Sequence, residues 1–577
     1  MDVAGWLQIS VFVLVLTALT PLLGGYMARA FTGERVFLTP LVGPVERGTF
    51  RLLGIDAEQE QDWKGYARSV LVFSAAGFVL LYVLLRIQGA LPFNPQGFGA
   101  VPADVSLNTA ASFVTNTNWQ FYAGETTMSN FTQMAGLAVQ NFISAGVGIA
   151  VCIAVIRGFA HRNLSSLGAF WVDFVRATLY VLLPISIVLA LFYASQGVMQ
   201  DLSGNIDLRT LLGGAQTLVP GPVASQEAIK LLGTNGGGFY NVNSAMPFEN
   251  PTALTNGIGM LSILLIPAAL TATFGRMVGS RRQGWAIYAA MAVLFVVGVA
   301  VVYGAEANGS PAQHLAGIAG GNFEGKDTRF GLGSSSLFAA VTTVASCGAV
   351  NAAMESLTGL GGAIPMANMM TGEVIFGGVG SGLYGMLLYV LLAVFLAGLM
   401  VGRTPEYLGK KIQAREVKLT MVGTLAVPLL VLAATAVAVA TRYGAPSVTA
   451  AGPQGFSETL YAYTSQGNNN GSAFAAFTGF VQPDAPGNAG AFGITFADVL
   501  GTLAMVGGRF LPLIAALAVA GALAGRRVTP TGPGTMRTDT PTFAILLIGT
   551  ILLVALLTFV PALLLGPVVQ ALSTTLF

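Results

Sequence analysis

Long apolar runs and short polar ones alternate along the chain. Ten apolar stretches, near 6–28, 67–88, 132–156, 171–194, 253–275, 285–304, 373–401, 419–441, 492–523 and 541–570, are long enough to cross a bilayer core of roughly 30 Å. Four of the gaps between them carry a core of Gly, Asn, Thr and Ser: Thr115-Asn-Thr-Asn-Trp119, Thr234-Asn-Gly-Gly-Gly-Phe239, Ser346-Cys-Gly-Ala349 and Asn468-Asn-Asn-Gly-Ser-Ala-Phe474. Aligning Thr117, Gly236, Gly348 and Gly471 gives spacings of 119, 112 and 123 residues. Before each core lies a segment with helical potential, seen in 108–114, 226–232, 334–341 and 456–462. Each covers about two turns, too short to cross. The repeating unit expected is span, re-entrant half-helix, polar loop, span. Four units use spans two to nine and leave the first and last as flanks. The expected divisions are 1–65 (first flanking helix and cytoplasmic loop), 66–157, 171–276, 285–402 and 419–524 (the four repeats), and 541–577 (last flanking helix). The fold class is an all-α polytopic membrane protein with four helix–re-entrant pore loop–helix repeats around a pseudo-fourfold pore.

Uncharged polar and glycyl backbone is costly inside a bilayer unless it lines a cavity that something polar occupies. Four such loops around one axis form a ring of carbonyls, which can replace the hydration shell of a monovalent cation. Half-helices that aim their partially negative C-termini at that axis favour a cation further. The bland alternatives are ordinary turns, rich in the same residues anywhere, and glycines that serve close helix packing. Gly236-Gly237-Gly238 fits packing poorly, since three consecutive glycines weaken a helix. Four loops at matching positions of a repeated helix pair favour an ion pore.

Charge fixes orientation and narrows the function. Alternate loops hold Arg29, Arg35, Arg47, Arg51, Lys64 and Arg68; Arg157, Arg162 and Arg176; Arg276, Arg281 and Arg282; Arg403, Lys410, Lys411, Arg415 and Lys418; and Arg526, Arg527 and Arg537. These are most of the chain's 27 basic residues, so those loops are expected to face the cytoplasm, with both termini and all four polar loops outside. With 54% apolar residues, 9% charged residues and a mean hydropathy of +0.71, the chain belongs in a membrane. A net charge of +2 implies no nucleic-acid partner. Cys152 and Cys347 are too few for a disulfide framework or a zinc site, and His161 and His314 fall in loops. The first apolar run lacks a basic flank and is long enough to span, so no cleavable signal peptide is expected. No phosphate-binding Gly-rich loop and no nucleophile–base pair can be assembled, so any energy for transport comes from another chain.

Two ionisable residues fall within expected spans and need a reason. Glu373 lies in a glycine-rich run, 366–382. It either caps a helix starting there or sits in a broken helix beneath the third loop, offering a cation a way station. Arg509, in Val506-Gly-Gly-Arg-Phe-Leu-Pro512, is either a packing partner for Glu373 or a positive plug below the pore loops.

The runs Thr115-Asn-Thr-Asn-Trp-Gln120, Thr234-Asn-Gly-Gly-Gly-Phe-Tyr-Asn-Val-Asn-Ser244 and Thr464-Ser-Gln-Gly-Asn-Asn-Asn-Gly-Ser-Ala-Phe474 resemble the KdpA family. Those are the potassium-binding subunits of bacterial Kdp potassium-importing ATPases, in the superfamily of potassium transporters. The resemblance covers essentially the whole chain. It implies a selectivity filter built from Asn116, Thr117, Thr234, Asn235, Gly236, Ser346, Cys347, Gly348, Asn469, Asn470 and Gly471, with Gln120, Glu373 and Arg509 tuning affinity or gating. It further implies potassium as substrate with no covalent cofactor. The implied location is the bacterial plasma membrane, with a P-type ATPase catalytic subunit and small accessory membrane subunits as partners. The rivals are an autonomous potassium channel or ion-coupled symporter of the same fold, and a secondary transporter with inverted repeats. The last expects corresponding loops to alternate sides of the membrane.

Overall fold

Ten helices long and apolar enough to cross a membrane follow one another in the computed structural model, which describes residues 2–402, 404–479, 494–528 and 535–574. They are Val3–Phe31, Trp63–Ala90, Thr132–Ala160, Phe170–Ser195, Ala253–Met277, Arg281–Leu315, Ser381–Val401, Ala414–Ala440, Phe496–Ala524 and Pro541–Leu572. The chain is a multi-pass membrane protein. Local chemistry sets several ends. The Asp2 carboxylate accepts from Gly5 N at 2.7 Å to start the first span, and Asp62 accepts from Gly65 N at 2.8 Å to start the second. Thr252 and Thr255 form a reciprocal cap on the fifth, and Gly402, at φ 67°, closes the seventh in the left-handed conformation.

Four shorter helices, Ala103–Val114, Val223–Leu232, Gly331–Val344 and Gly452–Gly467, precede the polar loops. They are buried almost throughout. These are the half-helices the sequence calls for, each running straight into its loop.

The seventh span departs from expectation. Its apolar pattern predicts helix from 373, yet the helix begins at Ser381. A separate helix, Gly359–Met370, comes first, and the intervening segment has positive φ at Gly372, Glu373, Phe376, Gly377 and Gly380. Close backbone packing accompanies the break. A Cβ at Gly380 would overlap the Gly148 carbonyl of the third span, and one at Gly377 would overlap the Glu373 carbonyl. Glu373 therefore does not cap the span.

Three smaller elements were not anticipated. Thr39–Leu53 is a helix with Leu41, Val45 and Leu52 exposed along it. Ile206–Arg209 pairs with Ala215–Leu218, and Glu406–Tyr407 with Lys410–Lys411, as two antiparallel hairpins. Residues 480–493, inside the expected fourth repeat, lie outside the described residues, as do Met1, Arg403, 529–534 and 575–577. Spans pack through small residues: Gly24 on the first span meets the backbone of Ala269 on the fifth so closely that no Cβ would fit.

Candidate functional site

Each half-helix ends the same way. After its last turn, one backbone N–H reaches back five residues: Thr117 to Ser112 O (2.9 Å), Asn235 to Lys230 O (2.9 Å), Cys347 to Thr342 O (3.2 Å) and Asn470 to Ser465 O (2.8 Å). The residue before that donor is left-handed in every case: Asn116 (φ 66°), Thr234 (50°), Ser346 (54°) and Asn469 (60°). The residue after it is left-handed too: Asn118 (54°), Gly236 (85°), Gly348 (85°) and Gly471 (97°). This backbone register corrects the sequence alignment of the first loop by one residue. Thr117 matches Asn235, Cys347 and Asn470, and the residue standing where the others have glycine is Asn118. Asparagine tolerates the left-handed region better than most side chains, which is why the substitution survives there.

The loops close on one another in a ring. Asn116 Nδ2 donates to Thr234 O at 2.9 Å, and Asn235 Nδ2 donates to Asn116 Oδ1 at 2.6 Å, joining loops one and two. Ser346 Oγ donates to Asn469 O at 2.7 Å, joining three and four, and Asn469 Nδ2 donates to Thr117 Oγ1 at 3.0 Å, joining four and one. Loops two and three meet through backbone: a Cβ at Gly236 would overlap the Cys347 carbonyl. The same holds onward, with Gly348 against the Asn470 carbonyl and Gly471 against the Thr117 carbonyl. Each glycine is thus the place where the next loop's carbonyl passes. All eleven residues that the resemblance names for the filter lie in this ring.

A buried charge cluster backs the second loop. Lys230 Nζ lies 2.5 Å from Glu227 and 2.8 Å from Glu249, and donates to Asn243 Oδ1 at 2.9 Å. Asn243 Nδ2 in turn donates to the Gly236 carbonyl at 2.5 Å. The ammonium is fully buried, and two carboxylates answer its charge. Gln120 ties the first loop to the second, donating to Gly238 O at 3.1 Å and accepting from Gly238 N at 3.2 Å.

Beside the loops, Gly377 N donates to Val344 O at 2.8 Å and Val379 N donates to Thr234 Oγ1 at 3.0 Å. The broken segment therefore touches both the third half-helix and the second loop. Beside it lies a cavity of about 60 Å³ lined by Glu373, Asn468, Asn469, Gly508 and Arg509 among others. Glu373 is buried against the side chains of Ser346 and Asn470, and its Oε1 has no hydrogen-bond partner. Arg509 lies near Gly148 of the third span. Among the described residues no ion pair joins Arg509 to Glu373, so the packing salt bridge allowed by the sequence is not formed. Both cysteines are free and buried, Cys347 within the ring and Cys152 in the third span.

Sequence reasoning missed Asn118, Asn243 and the Lys230 cluster. The signal for Lys230 was present, since Glu227 and Lys230 stand three apart on a segment otherwise headed into the membrane. Glu249 and Asn243 reach the same point only through the fold.

The family described as KdpA, Potassium-transporting ATPase A subunit, matches residues 10–572. A "Potassium-transporting ATPase potassium-binding subunit" of Granulibacter bethesdensis is 56% identical over 99% of both chains. One of Methylorubrum extorquens is 56% identical, covering 99% of this chain and 98% of its own, and one of Mesorhizobium japonicum is 55% identical over 99% of both. The potassium transporter TrkH from Vibrio parahaemolyticus superposes with a TM-score of 0.51 at 15% identity, over 89% of this chain and 96% of its own, a likeness of fold. A repeated half-helix and loop built on ten spans, matched end to end by these relatives, makes the chain a member of the KdpA family.

Proposed function

We propose that this chain is the potassium-selecting subunit of an ATP-driven potassium uptake complex. Potassium enters from outside and is held by the ring of Asn116, Thr117, Thr234, Asn235, Gly236, Ser346, Cys347, Gly348, Asn469, Asn470 and Gly471. Asn118 belongs to the same set, at the position of the three glycines. The observation that carries this reading is the closed ring itself, four loops in one backbone register with each glycine against the next loop's carbonyl. Such a ring offers oxygens at fixed spacing to a dehydrated monovalent cation. The names of the relatives support potassium as that cation.

The chain is the non-catalytic member of its complex. ATP hydrolysis belongs to a partner, a P-type ATPase subunit, with small accessory membrane subunits beside it. The basic loops face the cytoplasm and both termini lie outside, in the bacterial plasma membrane. The four divisions 66–157, 171–276, 285–402 and 419–524 are the pore repeats. Below the ring, Glu373 draws the ion toward the cavity beside the broken segment, while the Arg509 guanidinium, charged at any accessible pH, opposes straight-through flow.

Reconstitution tests the assignment. Proteoliposomes with this chain alone are expected to bind potassium without ATP-driven uptake, and the complex co-purified with its neighbours is expected to show potassium-stimulated ATP hydrolysis. Uptake driven by ATP through the lone chain, or ATP hydrolysis by the complex that is indifferent to potassium, would overturn it.

A further inference from the structure

Behind the ring, the first half-helix, the fourth half-helix and the ninth span meet around polar side-chain atoms with no hydrogen-bond partner among the described residues. Asp498, Gln466 and Tyr463 are 0% exposed and Asn108 is 1% exposed. Both Asp498 carboxylate oxygens, both ends of the Gln466 carboxamide, Asn108 Oδ1 and the Tyr463 hydroxyl lack a hydrogen-bond partner. The backbone holds these groups together. Asn108 Nδ2 donates to the Asp498 carbonyl at 3.0 Å. The Gln466 Oε1 presses on Gly501, one turn beyond Asp498 on the same helix face, where a Cβ would overlap it and stand 3.2 Å from Asn108 Nδ2. Tyr463 is within electrostatic reach of Asp498. Asp104 stands nearby, but its oxygens are taken by Val105 N and Thr495 N, both at 2.9 Å.

We infer that Asp498, Asn108 Oδ1, Gln466 Oε1 and Tyr463 Oη form a binding site for a hard alkali or alkaline-earth cation, separate from the ring of loops. Buried polar groups in folded proteins are almost always satisfied, and a buried carboxylate with neither oxygen paired is the costliest member of this set. Every unpaired acceptor of the cluster is a hard oxygen, which suits alkali and alkaline-earth cations and not transition metals. The donor set itself contributes the Asp498 carboxylate, and the Asp104 carboxylate beside it keeps its own charge while accepting from two backbone N–H groups, so the negative charge here suits a hard cation. Gly501 is part of the design, since any side chain there would push the Gln466 oxygen out.

The site does not depend on the reading of the ring, and its test keeps the two apart. The full-length chain in nanodiscs, in choline buffer, is titrated with sodium or potassium chloride while its thermal unfolding is followed. A ligand that binds only the folded state raises the midpoint with a saturable dependence. Two saturable steps are expected for the parent chain. Asp498→Asn is expected to weaken one of them at least tenfold and retain the other, and Gly236→Asp is expected to do the reverse. Gly501→Ala, which leaves the carboxylate in place, is expected to weaken the same step as Asp498→Asn. If Asp498→Asn and Gly501→Ala keep the parent's full cation dependence, the carboxyl is satisfied by a proton and water and the inference fails. If Asp498→Asn does not fold, an unaltered Gly501→Ala titration overturns it alone. Calcium chloride is titrated in the same way, and a parent chain in which none of the three salts gives a step sensitive to Asp498→Asn would overturn the inference.

Discussion

A side chain at position 236 has nowhere to go, because its Cβ would overlap the Cys347 carbonyl of the next loop. The collision is with backbone, so no rotamer relieves it. Gly236→Ser is expected to displace that carbonyl and to raise the potassium concentration for half-maximal ATPase stimulation at least tenfold, about 1.4 kcal/mol of binding. Rubidium and sodium competition would read the accompanying loss of discrimination, and an unchanged ion ranking would remove this loop from the filter. Lys230 acts on the same carbonyl through Asn243. Lys230→Met leaves the Glu227 and Glu249 carboxylates buried without their counter-charge, which costs about 3–5 kcal/mol. Thermal unfolding of the purified chain should show that loss, and the additional changes Glu227→Gln and Glu249→Gln should recover part of it.

At the scale of elements, the seventh span is two pieces joined by a left-handed segment, and that break couples the second loop to the cavity through Val379 and Thr234. Gly380→Ala would set a methyl group against the Gly148 backbone at φ 88°. It is expected to impair coupled transport more than potassium binding, which transport and binding assays on the reconstituted complex would separate. Arg509 and Glu373 flank the same cavity without pairing. Arg509→Ala is therefore expected to admit a passive potassium leak without ATP. Glu373→Ala should leave binding intact and slow coupled transport. Had they formed a buried ion pair, each single change would destabilise the chain and the double change would restore it. Flux measurements beside unfolding midpoints of the two singles and the double distinguish these outcomes, and tight singles with a rescued double would sink the gating role.

For the whole molecule, orientation in the membrane has a direct test. Leu211 is fully exposed at the tip of the hairpin between the fourth span and the second half-helix, and Arg282 opens the sixth span at its other end. Both native cysteines are buried, so their background reactivity is low. Leu211→Cys is expected to react with a membrane-impermeant thiol reagent on intact cells, and Arg282→Cys only after the membrane is permeabilised. The opposite pattern would invert the topology that the basic loops imply.

Hydropathy determined the number and order of the ten spans, and helical potential before each polar loop marked the half-helices, because a bilayer demands an apolar segment of set length and rejects polar backbone that lines nothing. The family resemblance named eleven residues of the ring, and Asn118 emerged only from the backbone. The register of the first loop was not legible, since left-handed Asn118 and left-handed Gly236 share a backbone state and not a residue type. Hydropathy placed a helix start at 373, while the glycine-rich run 366–382 already offered a broken helix as one of two readings; the helix starts at Ser381, with Gly380 against the Gly148 backbone. The partners of Lys230, the separation of Glu373 from Arg509 and the meeting of Asn108, Gln466 and Asp498 join positions up to hundreds of residues apart. Such meetings depend on which helix faces which, and tertiary packing decides that.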